Sequence, residues 1–161
     1  MAVDSFLKIE GVKGESEDAK HKGEIDVLSW SWGATQAGTT HTGSGGGAGK
    51  VSVKDLAVVK YVDRASPTLN NMCFSGSHLK QAVLTVRKAG GEALEYVKIT
   101  MEDLIVSSVE INGSAGQERL TENVNFNFSR VKYDYTPQKA DGSGDAAVTF
   151  GWDIAKNVKW G

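Results

Sequence analysis

The sequence is short of the features that announce most functional classes. It has one cysteine, Cys73, so no internal disulfide can form, and a lone thiol suits folding in a reducing cytosol. It has two prolines and three histidines. Contiguous aliphatic runs such as Leu104-Ile105-Val106 are far too short to span a bilayer, so membrane insertion is not expected. Met1-Ala2-Val3-Asp4-Ser5 carries neither the basic nor the apolar stretch of a secretory leader, so any export is expected to proceed from the cytoplasm without a classical signal peptide. Net charge is also scarce: 18 basic against 20 acidic residues leave −2, which argues against a general nucleic-acid or anionic-membrane binder.

What is present fits an ordinary globular chain. With 161 residues, 40% hydrophobic and 24% charged, one domain over residues 1–161 is expected. A chain of this size buries about two-thirds of its unfolded surface, so it needs no metal or disulfide staple. Nineteen glycines punctuate apolar residues that recur mainly at every second position, the strand period. The expected fold is mainly β: a single β-barrel of two packed, antiparallel-rich sheets, with one short α-helix and a long glycine-rich extended loop.

Strands are expected over residues 3–9, 24–33, 50–63, 81–88, 94–111, 121–136 and 146–154. In 24–33 the inward set is Leu28, Trp30 and Trp32; in 146–154 it is Val148, Phe150, Trp152 and Ile154. Between Phe128 and Val131 the apolar set changes phase, which predicts a bulge or sharp bend, and the strand over 94–111 is expected to break near Ser107-Ser108. Gly90-Gly91 predicts a hairpin tip. Ser66 is read as the cap of a helix with Pro67 in its first turn and Gly76 at its end, burying Leu69, Met72 and Cys73. The 51–62 strand is apolar on both parities, with Val51, Val53, Ala57, Val59 and Tyr61 on one and Leu56, Val58 and Val62 on the other. A barrel has one inside, so a partner subunit is expected to cover the second face.

Candidate chemistry is sparse. The segment from Gly38 to Lys50 resembles a phosphate cradle, but a P-loop would need glycine where Ser44 stands and serine or threonine where Val51 stands. Gly43-x-Gly45-x-x-Ala48 is followed by a strand pattern, not the helix a dinucleotide fingerprint opens. His21, His41 and His78 lack metal-site spacing and are expected to be solvent-exposed. Glu102 and Asp103, adjacent on a strand, should point to opposite faces. No Gly-x-Ser-x-Gly elbow precedes a helix. No enzyme activity, metal or cofactor is expected, although a histidine-dependent hydrolase and a barrel holding a small apolar ligand remain the alternative classes. Ser29 and Ser31, with Asn125, Asn127 and Ser129, form a small polar face, either a plain wet surface or a wall presented to varied cargo.

Residues 6–9 followed by Val12-Lys13-Gly14-Glu15-Ser16, then Ile25-Asp26-Val27-Leu28-Ser29-Trp30-Ser31-Trp32-Gly33, the 43–53 segment, Arg64-Ala65-Ser66-Pro67-Thr68-Leu69, Leu84-Thr85-Val86-Arg87-Lys88-Ala89-Gly90-Gly91, Arg119-Leu120-Thr121-Glu122-Asn123-Val124 and Phe150-Gly151-Trp152 occur in this order. In that combination the chain resembles the Hcp family, hemolysin-coregulated proteins of type VI secretion systems, with a phage tail-tube protein as a related reading. The resemblance implies a homo-hexamer, stacked rings forming a tube, a spike-tip protein, a contractile sheath, small effector proteins in the lumen, and secretion to the extracellular space or a target cell. It places Ser31, and Ser29 beside it, toward the channel. Ring or stacking contacts are expected from Thr39, Thr40, His41, Gly45, Gly47, Lys50, Val51, Val53 and Val59, and at Gly90 and Gly91.

Overall fold

Strand-forming β-branched and aromatic residues build β1 (Val3–Ile9), β2 (Ile25–Val27), β3 (Ser29–Ser31), β4 (Ala34–Thr35), β5 (Ser52–Val53), β6 (Leu56–Tyr61), β7 (Leu79–Lys88), β8 (Glu95–Asn112), β9 (Thr121–Tyr135), β10 (Val148–Asp153) and β11 (Val158–Lys159). Among the described residues one helix, α1 (Ser66–Ser75), lies between β6 and β7. The structure is a computed structural model and describes residues 3–38, 49–88 and 93–161.

Every strand pair is antiparallel. The main sheet runs β11-β10-β9-β8-β7-β1-β2, with β6 also paired to β9 and β3 to β6, while β4 and β5 form a separate pair. The mainly β fold with one helix is as expected, but the expected two sheets are one nine-stranded sheet that curls on itself plus a two-stranded one. Its ends meet through the chain, not through a ladder: β2 and β3 lie at opposite ends of the pairing path, separated only by Leu28, whose N–H donates to the Val59 carbonyl at 2.8 Å. That crossing corrects the reading of 24–33 as one strand. Ile25 and Val27 are buried, Leu28 is 49% exposed, and Trp30 and Trp32 pack against the core on the other parity.

The interior is filled by Leu7, Ile25, Leu56, Leu84, Ile99, Met101 and Phe126, each essentially inaccessible. Among the described residues the inward positions of the sheet are thus occupied by packed apolar side chains. The expected change of phase falls where β9 exchanges one neighbour for another: residues up to Phe126 pair with β6, those from Arg130 pair with β10. Opposite it on β8, Asp103 adopts φ +53°, and the inward parity of β8 shifts from Ile99 and Met101 to Leu104 and Val106. Both strands change phase together, so the ladder keeps its register there; the register shift falls between Val106 and Ser108, as a bulge in a continuous strand.

The helix begins one residue from its expected cap. Ala65 occupies the cap position, and Ser66 sits inside the first turn, buried, accepting from the Asp63 N–H at 2.9 Å and donating to Glu122 at 2.6 Å. Pro67 lies in the first turn, and Gly76 closes the helix at φ +65°, where a left-handed residue is needed. Leu69 is buried, and Met72 and Cys73 are packed partly against the core, as the spacing predicts. Ser66 belongs to a network invisible to periodicity. Lys60 and Glu122, both 0% exposed, form an ion pair, and Lys60 Nζ also reaches Asp63 at 2.8 Å. This cluster ties the start of α1 to β6 and β9.

A second tie fastens the 13–24 segment. Arg87 donates to both carboxylate oxygens of Asp18, at 2.7 and 3.0 Å, and to Asp4 at 3.1 Å. The Arg87 hydrogen bond holds the Asp18 carboxyl down at about 2, and Asp18 in turn holds the guanidinium proton more firmly than usual. Because the folded pKa lies below the unfolded one, this contribution to stability is present above about pH 4 and is lost as pH falls toward 2. Thermal unfolding of wild type is therefore expected to decline more steeply between pH 4.5 and 2.5 than that of Asp18→Asn; parallel declines would contradict the assignment.

Candidate functional site

Directly paired residues share a sheet face, and the pairing across β3, β6, β9 and β8 assembles one surface. Ser29 lies opposite Val59, Val59 opposite Asn123, and Asn123 opposite Glu110. One step along, Ser31 lies opposite Ala57, Ala57 opposite Asn125, and Asn125 opposite Ser108. Ser29, Ser31, Asn123 and Ser108 are exposed. The inward residues of the same strands, Val58, Val124 and Phe126, anchor this wall to the core. At its margin Asp55 accepts from Ser107 at 2.6 Å and Asn127 at 2.9 Å, so its charge is engaged. The result is a broad face of hydroxyls, amides and short aliphatics, with the exposed carboxylate of Glu110 at the end of one row. Sequence reasoning found Ser29, Ser31, Asn125 and Asn127 separately; β6, threaded between β3 and β9, brings them together.

Val59 therefore shares a face with Ser29. Lys50 is exposed, and Val51 is half-buried outside the strands. Val53 lies on β5, partly buried against the core. The strand expected over 50–63 divides at Lys54-Asp55 because β5 pairs with β4 whereas β6 pairs with β3 and β9. Thr39, Thr40, His41, Gly45 and Gly47, and Gly90 and Gly91, lie outside the described residues.

A second surface is apolar and was misread in the sequence. On the β9–β10 pair, Val131 opposes Trp152, Tyr133 opposes Phe150, and Tyr135 opposes Val148. The row starts in the core at Val131 and runs out into solvent: Phe150 is 51% and Val148 66% exposed. Alternation placed Val148 and Phe150 inside, but at this end of the β9–β10 pair the inward parity is left exposed among the described residues. Tyr133, Tyr135, Val148, Thr149 and Phe150 line a concave, almost wholly apolar cavity of about 390 Å³. Exposed apolar patches of this kind mark interaction surfaces.

Among the described residues the titratable groups lie apart. His78 is exposed and bonds Asp103 through Nδ1 at 2.9 Å, which, with a bond from Ser129, holds the Asp103 carboxyl below its usual range. Glu102 and Asp103, expected on opposite faces, line the same cavity of about 440 Å³, because the left-handed backbone at Asp103 breaks the alternation. His21, expected in solvent, is buried: both ring nitrogens meet carboxylates, and the ring stacks on Phe6 at 4.4 Å. Glu24 is three residues away, but Glu95 and Phe6 are distant in sequence, and local spacing could not reveal them.

Residues 6–135 match the family model described as type VI secretion system effector, Hcp. The chain belongs to the Hcp family. It is 56% identical to the protein hcp1 of Pseudomonas aeruginosa, over 99% of both chains. Among solved structures it is similar to Hcp1 from Salmonella typhimurium, 46% identical with a TM-score of 0.82, covering 99% of this chain and 100% of that one. It is also similar to a type VI secretion system effector from Yersinia pestis, 35% identical with a TM-score of 0.77, covering 94% of this chain and 100% of that one. As an Hcp chain it is a tube protein of type VI secretion, a structural and secreted component. Among the described residues no helix is long and apolar enough to cross a membrane.

Proposed function

We propose that this Hcp chain closes into a homo-hexameric ring, that rings stack into a tube engaged by a spike-tip protein and a contractile sheath, and that the β3-β6-β9-β8 face lines the channel and holds small effector proteins. The observation that carries ring closure is the uncovered row of Tyr135, Val148 and Phe150. Burying it against a neighbour recovers the hydrophobic stabilisation that the isolated subunit forgoes. A ring interface is heterologous, so this row meets a different patch of the next copy. Lys50, Val51 and Val53 are the proposed counterpart, the 39–48 segment is the proposed reach to a neighbour in the ring or in the next ring, and Gly90 and Gly91 are a second proposed contact to the next ring.

Val59, in register with Ser29, is assigned to the channel wall instead of the seam. A wall of serines, asparagines and short aliphatics offers hydrogen bonds to many protein surfaces without demanding one charge pattern, which fits varied cargo. The glycine-rich 38–49 segment loses much conformational entropy when it docks. Stacking is accordingly weak in dilute solution and favoured by high local concentration.

Replacing Ser31 by glutamine tests the wall. Native mass measurement should still show rings, while the amount of small protein retained in them falls by about tenfold or more, as a long side chain at each repeat crowds the channel. Unchanged rings with unchanged cargo would remove Ser31 from the wall, and broken rings would move it to the seam.

A further inference from the structure

β1 ends at Ile9, and the chain reverses at once: Gly11 adopts φ +86°, and the Val12 N–H donates to the Ile9 carbonyl at 3.0 Å. Val12 is buried, which turns its neighbour Lys13 outward. The pattern recurs further along. His21 is buried between exposed Lys20 and Lys22, and Gly23 follows at φ +78°. These two limbs are fastened to each other. The Gly14 N–H donates to the Gly23 carbonyl at 2.8 Å, and a Cβ on Gly14 would lie 2.4 Å from the Glu24 carbonyl oxygen, so glycine is what lets them approach so closely.

The fastened limbs hold Lys13, Lys20 and Lys22 beside Lys8 of β1 around a concave cavity of about 480 Å³. Its two carboxylates are Glu10 and Glu24, and Glu24 is engaged by the His21 ring at 2.9 Å. All four lysines are exposed, and none has an ion pair among the described residues. In a chain whose net charge is −2, this pocket gathers four cations against one unengaged carboxylate. Like charges on a fixed backbone repel one another, and salt screens them only in part. Carboxylates arriving from a partner relieve that repulsion and meet cations that the fold has already positioned.

The lining also selects the class of partner. It has no arginine to fork onto a phosphate and no aromatic ring to stack on a base. Glu10, set among the lysines, opposes a continuous run of phosphates, whereas a polypeptide that separates its carboxylates by neutral residues accommodates it. We propose that this pocket docks an acidic segment of another protein, whose carboxylates pair with Lys8, Lys13, Lys20 and Lys22. The wall stands on β3, β6, β8 and β9 and the apolar row on β9 and β10, whereas these lysines stand on β1 and the segment after it. The docking surface therefore rests on neither the channel nor the ring.

Fluorescence anisotropy of a labelled peptide of alternating glutamate and serine, titrated with the full chain, tests this. Binding should weaken at least tenfold as salt rises from about 50 to about 500 mM, over which the screening length falls about threefold. At low salt Lys13→Gln/Lys22→Gln should lose about tenfold in affinity, and Glu10→Gln, which removes the opposing carboxylate, should gain about threefold. Lys139→Gln/Lys156→Gln removes the same charge outside the pocket and should stay within about twofold of wild type. These positions are exposed, so circular dichroism should show the native fold in every variant. Absence of peptide binding, an equal loss in the two double variants, or no gain in Glu10→Gln would each overturn the proposal. A single-stranded oligonucleotide of the same charge that binds as tightly as the peptide would overturn it too, because the pocket would then answer to any polyanion.

Discussion

Lys60→Met is expected to lower the melting temperature by roughly 10 °C. The substitution removes the cation from a site where Glu122 is 0% exposed and already has Oε2 without a hydrogen-bond partner. Breaking one side of a buried pair typically costs about 3–5 kcal/mol, because the remaining charge has no water to solvate it. For a chain of this size each kcal/mol moves the melting temperature by about 2–4 °C. Methionine fills most of the volume of the lysine stem, so the loss reports the stranded carboxylate more than a cavity. The double variant Lys60→Met/Glu122→Leu should recover at least half of it, since both charges then leave together. A Lys60→Met protein that melts within about 2 °C of wild type would show that Glu122 is not a buried anion. A double variant as unstable as the sum of the two single ones would show that the two groups are not coupled.

Phe150→Asp is expected to abolish the ring while leaving the subunit folded. Half of the Phe150 surface is already in water in the single chain, so the fold should tolerate a carboxylate there, with circular dichroism unchanged. In the assembly the same carboxylate would sit in the apolar row with Tyr135 and Val148, and the ring repeats the penalty at every seam. At tens of micromolar, native mass measurement should shift from a hexamer to the single chain, while Phe150→Leu remains hexameric. A Phe150→Asp protein that still forms hexamers would move the seam away from this row.

The parts of the fold legible in the sequence were those decided by nearest neighbours along the chain. The helix from Ser66 to its glycine stop and the phase change between Phe128 and Val131 each follow from local chemistry and period, whereas the break expected near Ser107-Ser108 is a register shift within a continuous strand. What failed needed knowledge of which strand ends where. Alternation is the same for Phe150, which emerges into solvent, and for Phe126, which does not, because period reports a face and not whether anything covers it. Leu28 fits the parity of Trp30, yet the chain turns there from one end of the sheet to the other. The Lys60-Glu122 pair spans 62 positions and places charges on the inward parity of two strands, where pattern reading expects apolar residues. Ser29, Ser31, Asn125 and Asn127 were read as small polar residues on outward faces, but their union into one surface depends on β6 lying between β3 and β9, a matter of topology.

Electron microscopy of the purified wild-type protein across a concentration series tests the central claim most directly. Six-fold annuli with an open centre, joining into short stacks as concentration rises, are the predicted outcome. Small featureless particles at every concentration, with native mass confirming a lone subunit, would contradict it.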